Sequence, residues 1–341
     1  MNAKRLYGYD NLRALLIFLV VFAHLLEICG QFPHKKEIYF TIYSFHMPAF
    51  VFLSGLFCGK RPKLGRFFLM YLLFQTLYLI AVWRINGKVG ALRLQYTTPY
   101  WILWYLLALI AYWAVSPYLL SSSLRKQAAL LAASLCLALL AGLDDSVGRV
   151  LSLSRILVFF PFFLLGCMLN PRREALQDRL RGLGAIRWAL FAVGLALLPL
   201  LMLRWGKTAT PWMLYGSFSY AERAYGPGIR LLQYAAAGLW IGWLLVLQSL
   251  ADFRIPGVSC LGRNTLWAFL LHGFVLRLAG KRKCFAPFSR TEALLLVPAA
   301  AILLLVLFGN PLVDAGMRRL LFLGAGNRKQ NTERLGRDLA V

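Results

Sequence analysis

The sequence predicts an all-α fold: a polytopic integral membrane protein of about ten transmembrane helices. Three observations carry this expectation. Of the 341 residues, 60% are hydrophobic and only 15% charged, with a mean hydropathy of +0.64, too little charge to cover a soluble surface. Apolar runs of about twenty residues, the length that spans a bilayer, recur from end to end. No interval between these runs is long enough for a separate folded domain. Residues 1–323 therefore read as one membrane domain, and residues 324–341 as a basic, disordered cytoplasmic tail.

Ten spans are expected, at 12–29, 38–58, 66–84, 101–120, 127–143, 154–170, 187–205, 229–251, 262–278 and 292–312. The first is read as a retained span. Its apolar run is longer than a signal-peptide core, and the residues that follow, Cys29-Gly30-Gln31-Phe32-Pro33, offer no small-x-small cleavage site. Orientation follows from the basic residues, which favour cytoplasmic loops. With the N-terminus inside, 22 of the 38 Lys and Arg belong to the cytoplasmic side and 16 to the rest of the chain. Both termini are then cytoplasmic, and short loops with abundant Arg suit a bacterial inner membrane.

The formal net charge is +25. In a soluble protein this would point to nucleic acid, but no DNA-binding motif is present. The cations sit mostly in short loops, where they set topology and meet anionic lipid headgroups. The six cysteines, Cys29, Cys58, Cys136, Cys167, Cys260 and Cys284, are scattered without CxxC or Cys/His spacing. They predict neither a zinc site nor a structural disulfide.

Ionisable residues within a span are costly and tend to be functional. The first span has the clearest set: Asp10-Asn11-Leu12-Arg13, then His24, then Glu27. Eleven residues separate Arg13 from His24, a rotation of about 1100° that leaves roughly 20°, so both share one helix face. Along the axis they stand ~16 Å apart. That interval suits an extended acyl-CoA, with Arg13 on the phosphates at the cytoplasmic mouth and the thioester carried inward to His24. Imidazole can take a proton from an attacking hydroxyl, and Glu27, one turn on, can fix its tautomer. On spacing alone, Arg13 also reads as a topology anchor and His24 as a helix-packing hydrogen bonder.

The second span carries Phe45-His46-Met47-Pro48-Ala49-Phe50 and Ser54-Gly55. Pro48 predicts a kink, with His46 just before it, either lining the same cavity or packed in the core. The loop that follows, Lys60-Arg61-Pro62-Lys63-Leu64-Gly65-Arg66, is either a phosphate grip or a topology signal. Arg155 opens the sixth span in Ser154-Arg155. His272 lies isolated near the outer end of the ninth span and reads as interfacial. The outward 206–228 connection mixes aromatic and small polar residues, which suits either a sugar face or the aromatic belt at the interface.

Taken together, these segments resemble the acyltransferase 3 family of membrane acyltransferases, and within it the fucose 4-O-acetylase-like branch. The run from Tyr9 to His24, with Arg and His eleven apart, is similar to that branch's opening. Ile42 to Gly55 is similar to its second-span signature, and Thr98–Leu109, Ser154–Gly166 and Gly262–His272 follow in the expected order. The resemblance implies a ten-helix fold, acetyl-CoA or another acyl-CoA as donor, and a carbohydrate hydroxyl, free or lipid-linked, as acceptor, with no metal. It implies that Arg13 and His24 are the essential pair. Some members carry Arg-x-x-Arg after the second span; here it is Lys63-x-x-Arg66, which keeps the charge but loses one bidentate fork. The expected assignment is therefore His24 as base with Glu27 as its orienter, Arg13, Lys63 and Arg66 on the donor phosphates, and His46 and Arg155 lining the cavity. A flippase-type transporter of a lipid-linked sugar is the alternative, in which the Arg13–His24 face would be a polar path.

Overall fold

The computed structural model describes residues 5–59, 63–148 and 150–321. The expected tail and Lys60-Arg61-Pro62 of the basic loop lie outside these residues. Among the described residues there is no strand, and the fold is all-α.

The N-terminal part consists of α1 (Tyr7–Ile28), a second span broken into α2 (Lys35–Tyr43) and α3 (His46–Leu56), and α4 (Leu64–Ile85). A 3-10 turn (Trp101–Leu103) leads into α5 (Trp104–Ser121), followed by α6 (Leu124–Leu140) and α7 (Leu153–Leu169). The short polar α8 (Arg173–Gly182) connects to α9 (Ala185–Thr208). Beyond a loop containing a 3-10 turn (Pro211–Tyr215) and α10 (Tyr220–Arg223) comes α11 (Pro227–Leu250). The last described elements are α12 (Pro256–Arg263), α13 (Thr265–Lys281), α14 (Arg290–Phe308) and α15 (Pro311–Leu320).

Among the described residues, eight stretches are long and apolar enough to cross a membrane. The spans expected at 127–143 and 262–278 are the helices α6 and α13, each 17 residues long. At 1.5 Å per residue, such a helix covers ~26 Å of a ~30 Å hydrocarbon core. The expected count of ten depends on these two shorter helices.

Burial sorts the helices. In α1, 67% of the apolar stretch is buried within the protein, against 6% in α9. α1 is therefore the central rod and faces α2, α3, α11, α12, α13 and α14, whereas α9 turns its Leu-rich surface outward, as a lipid-facing helix does. The start of α1 is pinned from three directions. Asn11 Nδ2 donates to the carbonyls of Ala251 (2.8 Å) and Phe253 (3.0 Å). Ser259 Oγ donates to Asn11 Oδ1 at 2.7 Å. Asp252 accepts from the Gly8 amide at 2.8 Å, from Gln177 at 3.0 Å and from Arg181. These contacts meet amides and side chains that would otherwise be buried unpaired.

The tightest helix crossing joins α3 to α7. Gly55 lies against the backbone at Phe163, and Gly166 against the backbone at Phe52, so that a Cβ on either would strike the opposite helix. Cys58 and Cys167 face each other just beyond this crossing, with their sulfurs 3.3 Å apart.

The kink expected at Pro48 is displaced. The helix is interrupted at Ser44–Phe45, where the Ser44 amide reaches both the Phe40 and Thr41 carbonyls. Pro48 has no N–H to offer the carbonyl one turn before it, and the chain yields there rather than at the proline itself. His46 consequently opens the second half of the span instead of preceding a bend.

The 209–226 loop is clamped from beneath by a fully buried cation. Arg230 of α11 donates to the Ala138 carbonyl (2.9 Å), the Phe218 carbonyl (3.4 Å) and Tyr225 Oη (2.6 Å). Arg223 stacks on Phe218 at 4.2 Å and on Trp212 at 4.8 Å. This otherwise irregular loop is thus a fixed wall.

Candidate active site

His24 lies about three turns beyond Arg13 on α1, where α13, α2 and the Trp101 turn converge. Its Nδ1 is 3.0 Å from Glu27 Oε1. A carboxylate can only accept, so the ring proton sits on Nδ1 and the Nε2 lone pair is left as a base. Glu27 is held in turn by two phenols of α2: Tyr39 Oη donates to the same oxygen at 2.8 Å and Tyr43 Oη at 3.1 Å. Tyr39 Oη also meets Tyr215 Oη at 2.7 Å. Since the Tyr39 proton is committed to Glu27, Tyr215 is the donor in that pair. Burial pushes the Tyr215 phenol up to about 12, so it keeps its proton at neutral pH. A hydrogen-bond chain therefore runs from the 209–226 loop through Tyr39 and Glu27 to His24.

The His24 ring is enclosed by other rings. Trp101 meets it edge-on at 4.7 Å, and His272 of α13 stacks on it at 5.6 Å with an interplanar angle of 21°. His272 is fully buried, which overturns the expectation that it is interfacial. Its Nδ1 lies 2.9 Å from the Ala268 carbonyl, and its Nε2 has no partner. His46 likewise places its Nδ1 near a carbonyl one turn back, 2.8 Å from that of Ile42 across the helix break.

A cavity of about 420 Å³ opens on this cluster. His24, Glu27, His46 and Arg155 all line it, together with Trp101, Trp104, Trp212, Tyr215 and Arg277. Four of the residues singled out from sequence thus share one space. Arg155 spans the gap between α7 and the loop: Nε donates to the Tyr215 carbonyl at 3.2 Å, Nη2 to Ser217 Oγ at 3.3 Å, and its guanidinium lies 5.1 Å from the Trp104 ring. Trp101 has a φ of +41°, a left-handed conformation that costs a bulky residue of order 1–3 kcal/mol and tends to be kept at functional sites.

The other three singled-out residues lie elsewhere. Arg13 is buried near the opposite end of α1, 3.6 Å from Asp10 Oδ1 and 4.4 Å from the Phe57 ring, which Arg173 also approaches at 5.9 Å. Lys63 is exposed and immediately precedes α4, and Arg66 is half-buried one turn on. None of the three lines the cavity. Between Arg13 and His24, the same face of α1 presents Ile17 and Val20 to a narrow apolar cavity of about 20 Å³. It shares Val20, Met47 and Phe269 with the larger one.

The acyltransferase domain profile matches residues 6–309. The chain belongs to the acyltransferase 3 family. The match covers α1 through α14 and so includes every element that builds the cavity. A relative, "Nodulation protein NolL" of Sinorhizobium fredii (strain NBRC 101917 / NGR234), is 26% identical over 307 residues, covering 79% of this chain and 78% of its own length. No solved structure matches. The chain is thus a membrane acyltransferase by family, and the His24–Glu27 pair lines the larger cavity within the matched region.

Proposed function

We propose that this acyltransferase is an O-acetyltransferase, moving an acetyl or other acyl group from acyl-CoA to a hydroxyl of a surface glycan, its lipid-linked precursor or a related saccharide. The observation that carries this reading is the His24–Glu27 pair: an oriented base facing an aromatic-walled cavity, on the same helix face as a buried arginine ~16 Å away. In this reading the protein sits in a bacterial inner membrane with both termini cytoplasmic, and donor and acceptor approach His24 from opposite ends of α1.

The chemistry follows from the groups present. The acceptor hydroxyl gives its proton to His24 Nε2 as its oxygen attacks the thioester carbonyl. The imidazolium that forms is stabilised by Glu27, whose carboxylate is already held by Tyr39 and Tyr43. Collapse of the tetrahedral intermediate breaks the C–S bond, and the CoA sulfur recovers the proton from His24. Arg13, with Lys63 and Arg66 beside the cytoplasmic mouth, holds the CoA phosphates, and the pantetheine arm passes Ile17 and Val20. Trp101, Trp104, Trp212 and Tyr215 offer ring faces to the C–H surfaces of a sugar, and Arg155 and His46 are placed to position it.

The test is mass spectrometry of surface glycans from cells with and without the protein. A difference of one acetyl unit per repeat is expected; unchanged glycans together with no turnover of acetyl-CoA by purified membranes would refute the reading. Two further outcomes refine it. Lys63→Ala with Arg66→Ala should raise the KM for acetyl-CoA several-fold with little change in kcat, because phosphate contacts are present in ground and transition states alike. Unchanged KM would make this loop a topology signal only. Glu27→Gln keeps the shape but removes the charge that supports the imidazolium. It should lower kcat by one to two orders of magnitude, roughly the effect of weakening one charge-assisted hydrogen bond, and less than removal of His24 itself. Steady-state kinetics in detergent-solubilised protein measure both.

A further inference from the structure

A second cavity reaches the same dyad. It measures about 240 Å³ and shares His24, Glu27, Trp101 and Arg277 with the larger one, while its far wall is formed by the ends of α4 and α13. The partition between the two is Trp101 and Arg277. The Arg277 guanidinium lies 4.1 Å from the Trp101 ring and 5.2 Å from that of Tyr100. Stacking occupies the faces of the guanidinium and leaves its N–H edge available in plane. Nε of Arg277 is buried without a hydrogen-bond partner, and among the described residues no carboxylate pairs with this arginine.

An arginine that merely anchors a helix at the membrane surface sends its head group to water. Arg277 instead turns inward, between two rings, with one donor unmet. Lys281, one turn further along α13, lines the same chamber, as do Asn86 and the apolar Val82 and Ile85. The chamber's carboxylate, Glu27, already has one oxygen committed to three donors. Two cations and an amide therefore face a space next to the reacting base, with an apolar flank beside them.

We infer that this smaller chamber binds a phosphate group carried by the acceptor, with Arg277 as its principal ligand and Lys281 and Asn86 as supports. The inference rests on the acetyltransferase reading, and it narrows the acceptor to a phosphorylated saccharide. Two cations one turn apart match a group of up to two negative charges, and the flat arginine edge matches two of its oxygens. Holding the phosphate behind Trp101 would leave the hydroxyl-bearing ring in the larger cavity against His24. The phosphate belongs either to a lipid-linked saccharide, whose chain would follow Val82 and Ile85, or to a soluble sugar phosphate.

The experiment uses the full chain in detergent micelles and native mass spectrometry with three probes: farnesyl phosphate, farnesol and glucose 1-phosphate. At least one phosphate probe should bind, and Arg277→Ala should weaken that binding about tenfold or more, the loss expected for a charged hydrogen bond. Arg277→Lys should fall between the two, because it keeps the charge without the fork. Lys281→Glu, at an exposed position, should weaken binding independently of any packing change at Arg277. Binding of farnesyl phosphate alone assigns a lipid-linked source, and binding of glucose 1-phosphate assigns a soluble one. Farnesol binding as tightly as farnesyl phosphate, no binding of either phosphate, or binding indifferent to both Arg277→Ala and Lys281→Glu would overturn the inference. No acyl donor is present, so the outcome is independent of whether transfer occurs, which the glycan analysis reads separately.

Discussion

Replacing His24 by Ala should reduce acyl transfer by about 10²–10⁴-fold, the range that a positioned general base contributes. The loss should fall on kcat. Under the proposed chemistry His24 sits beside the reacting atoms, whereas the donor's phosphates are held at the other end of α1 near Arg13, ~16 Å away. The variant should therefore still insert, still bind CoA and still bind the acceptor. Arg13→Ala should behave in the opposite way, raising the KM for acetyl-CoA, with Arg13→Lys restoring only part of the loss because a point charge replaces a fork. Comparing acetylation and CoA binding for each variant at matched membrane expression separates the roles. Near-normal acetylation by His24→Ala would remove this residue from the mechanism and leave His46, which lines the same cavity, as the next base to test.

The second large effect concerns folding. Gly55→Val or Gly166→Val should destabilise the protein by about 3 kcal/mol or more, the upper range for overpacking a close contact. A branched side chain at either site meets backbone of the opposite helix, and backbone cannot move aside as the end of a flexible side chain can. The crossing of α3 and α7 must then open. Because α3 begins at His46 and α7 carries Arg155, the opening would also separate two walls of the cavity. Thermal unfolding followed by size-exclusion chromatography in detergent should show a sharply lowered midpoint or no monodisperse protein. Gly238→Val on α11, where nothing lies within 4 Å of the added Cβ, is the control and should be near neutral. Equal behaviour of Gly166→Val and Gly238→Val would contradict the packing account.

What the sequence revealed and what it hid follow from the range of each interaction. The Arg13, His24 and Glu27 pattern is confined to one helix, whose period is known in advance, so spacing alone aligned it. His46 and Arg155 stood out because ionisable residues within apolar runs are costly wherever they pack. His272 was misread because its significance is a ring stacked on His24, 248 positions earlier in the chain, and no periodicity reports such a pairing. Tyr39, Tyr43 and Tyr215 were hidden for the same reason. In a chain with 15 tyrosines, a phenol that orients a carboxylate looks like any other interface aromatic. Arg277 was no more than one of the 16 Lys and Arg outside the cytoplasmic set. The expected count of ten rests on α6 and α13, whose 17 residues make them shorter than the eight stretches long enough to cross a membrane. The break before His46 was displaced because a proline withholds a hydrogen bond one turn upstream of itself.

The central rod has a further consequence. α1 runs unbroken from Tyr7 to Ile28 and carries both the arginine at one end and the histidine near the other, so the interval between them cannot stretch or shorten. Under the proposed chemistry it works as a caliper. It gauges the length of the donor's arm, which is the same for every acyl-CoA, and is blind to the acyl group itself. Choice among acyl groups then passes to the space beyond His24, where the acyl chain and the acceptor ring must share the same 420 Å³. Tolerance for a longer acyl group and tolerance for a bulkier sugar should accordingly trade against each other. Enlarging that chamber would relax both at once and leave recognition of the CoA end unchanged.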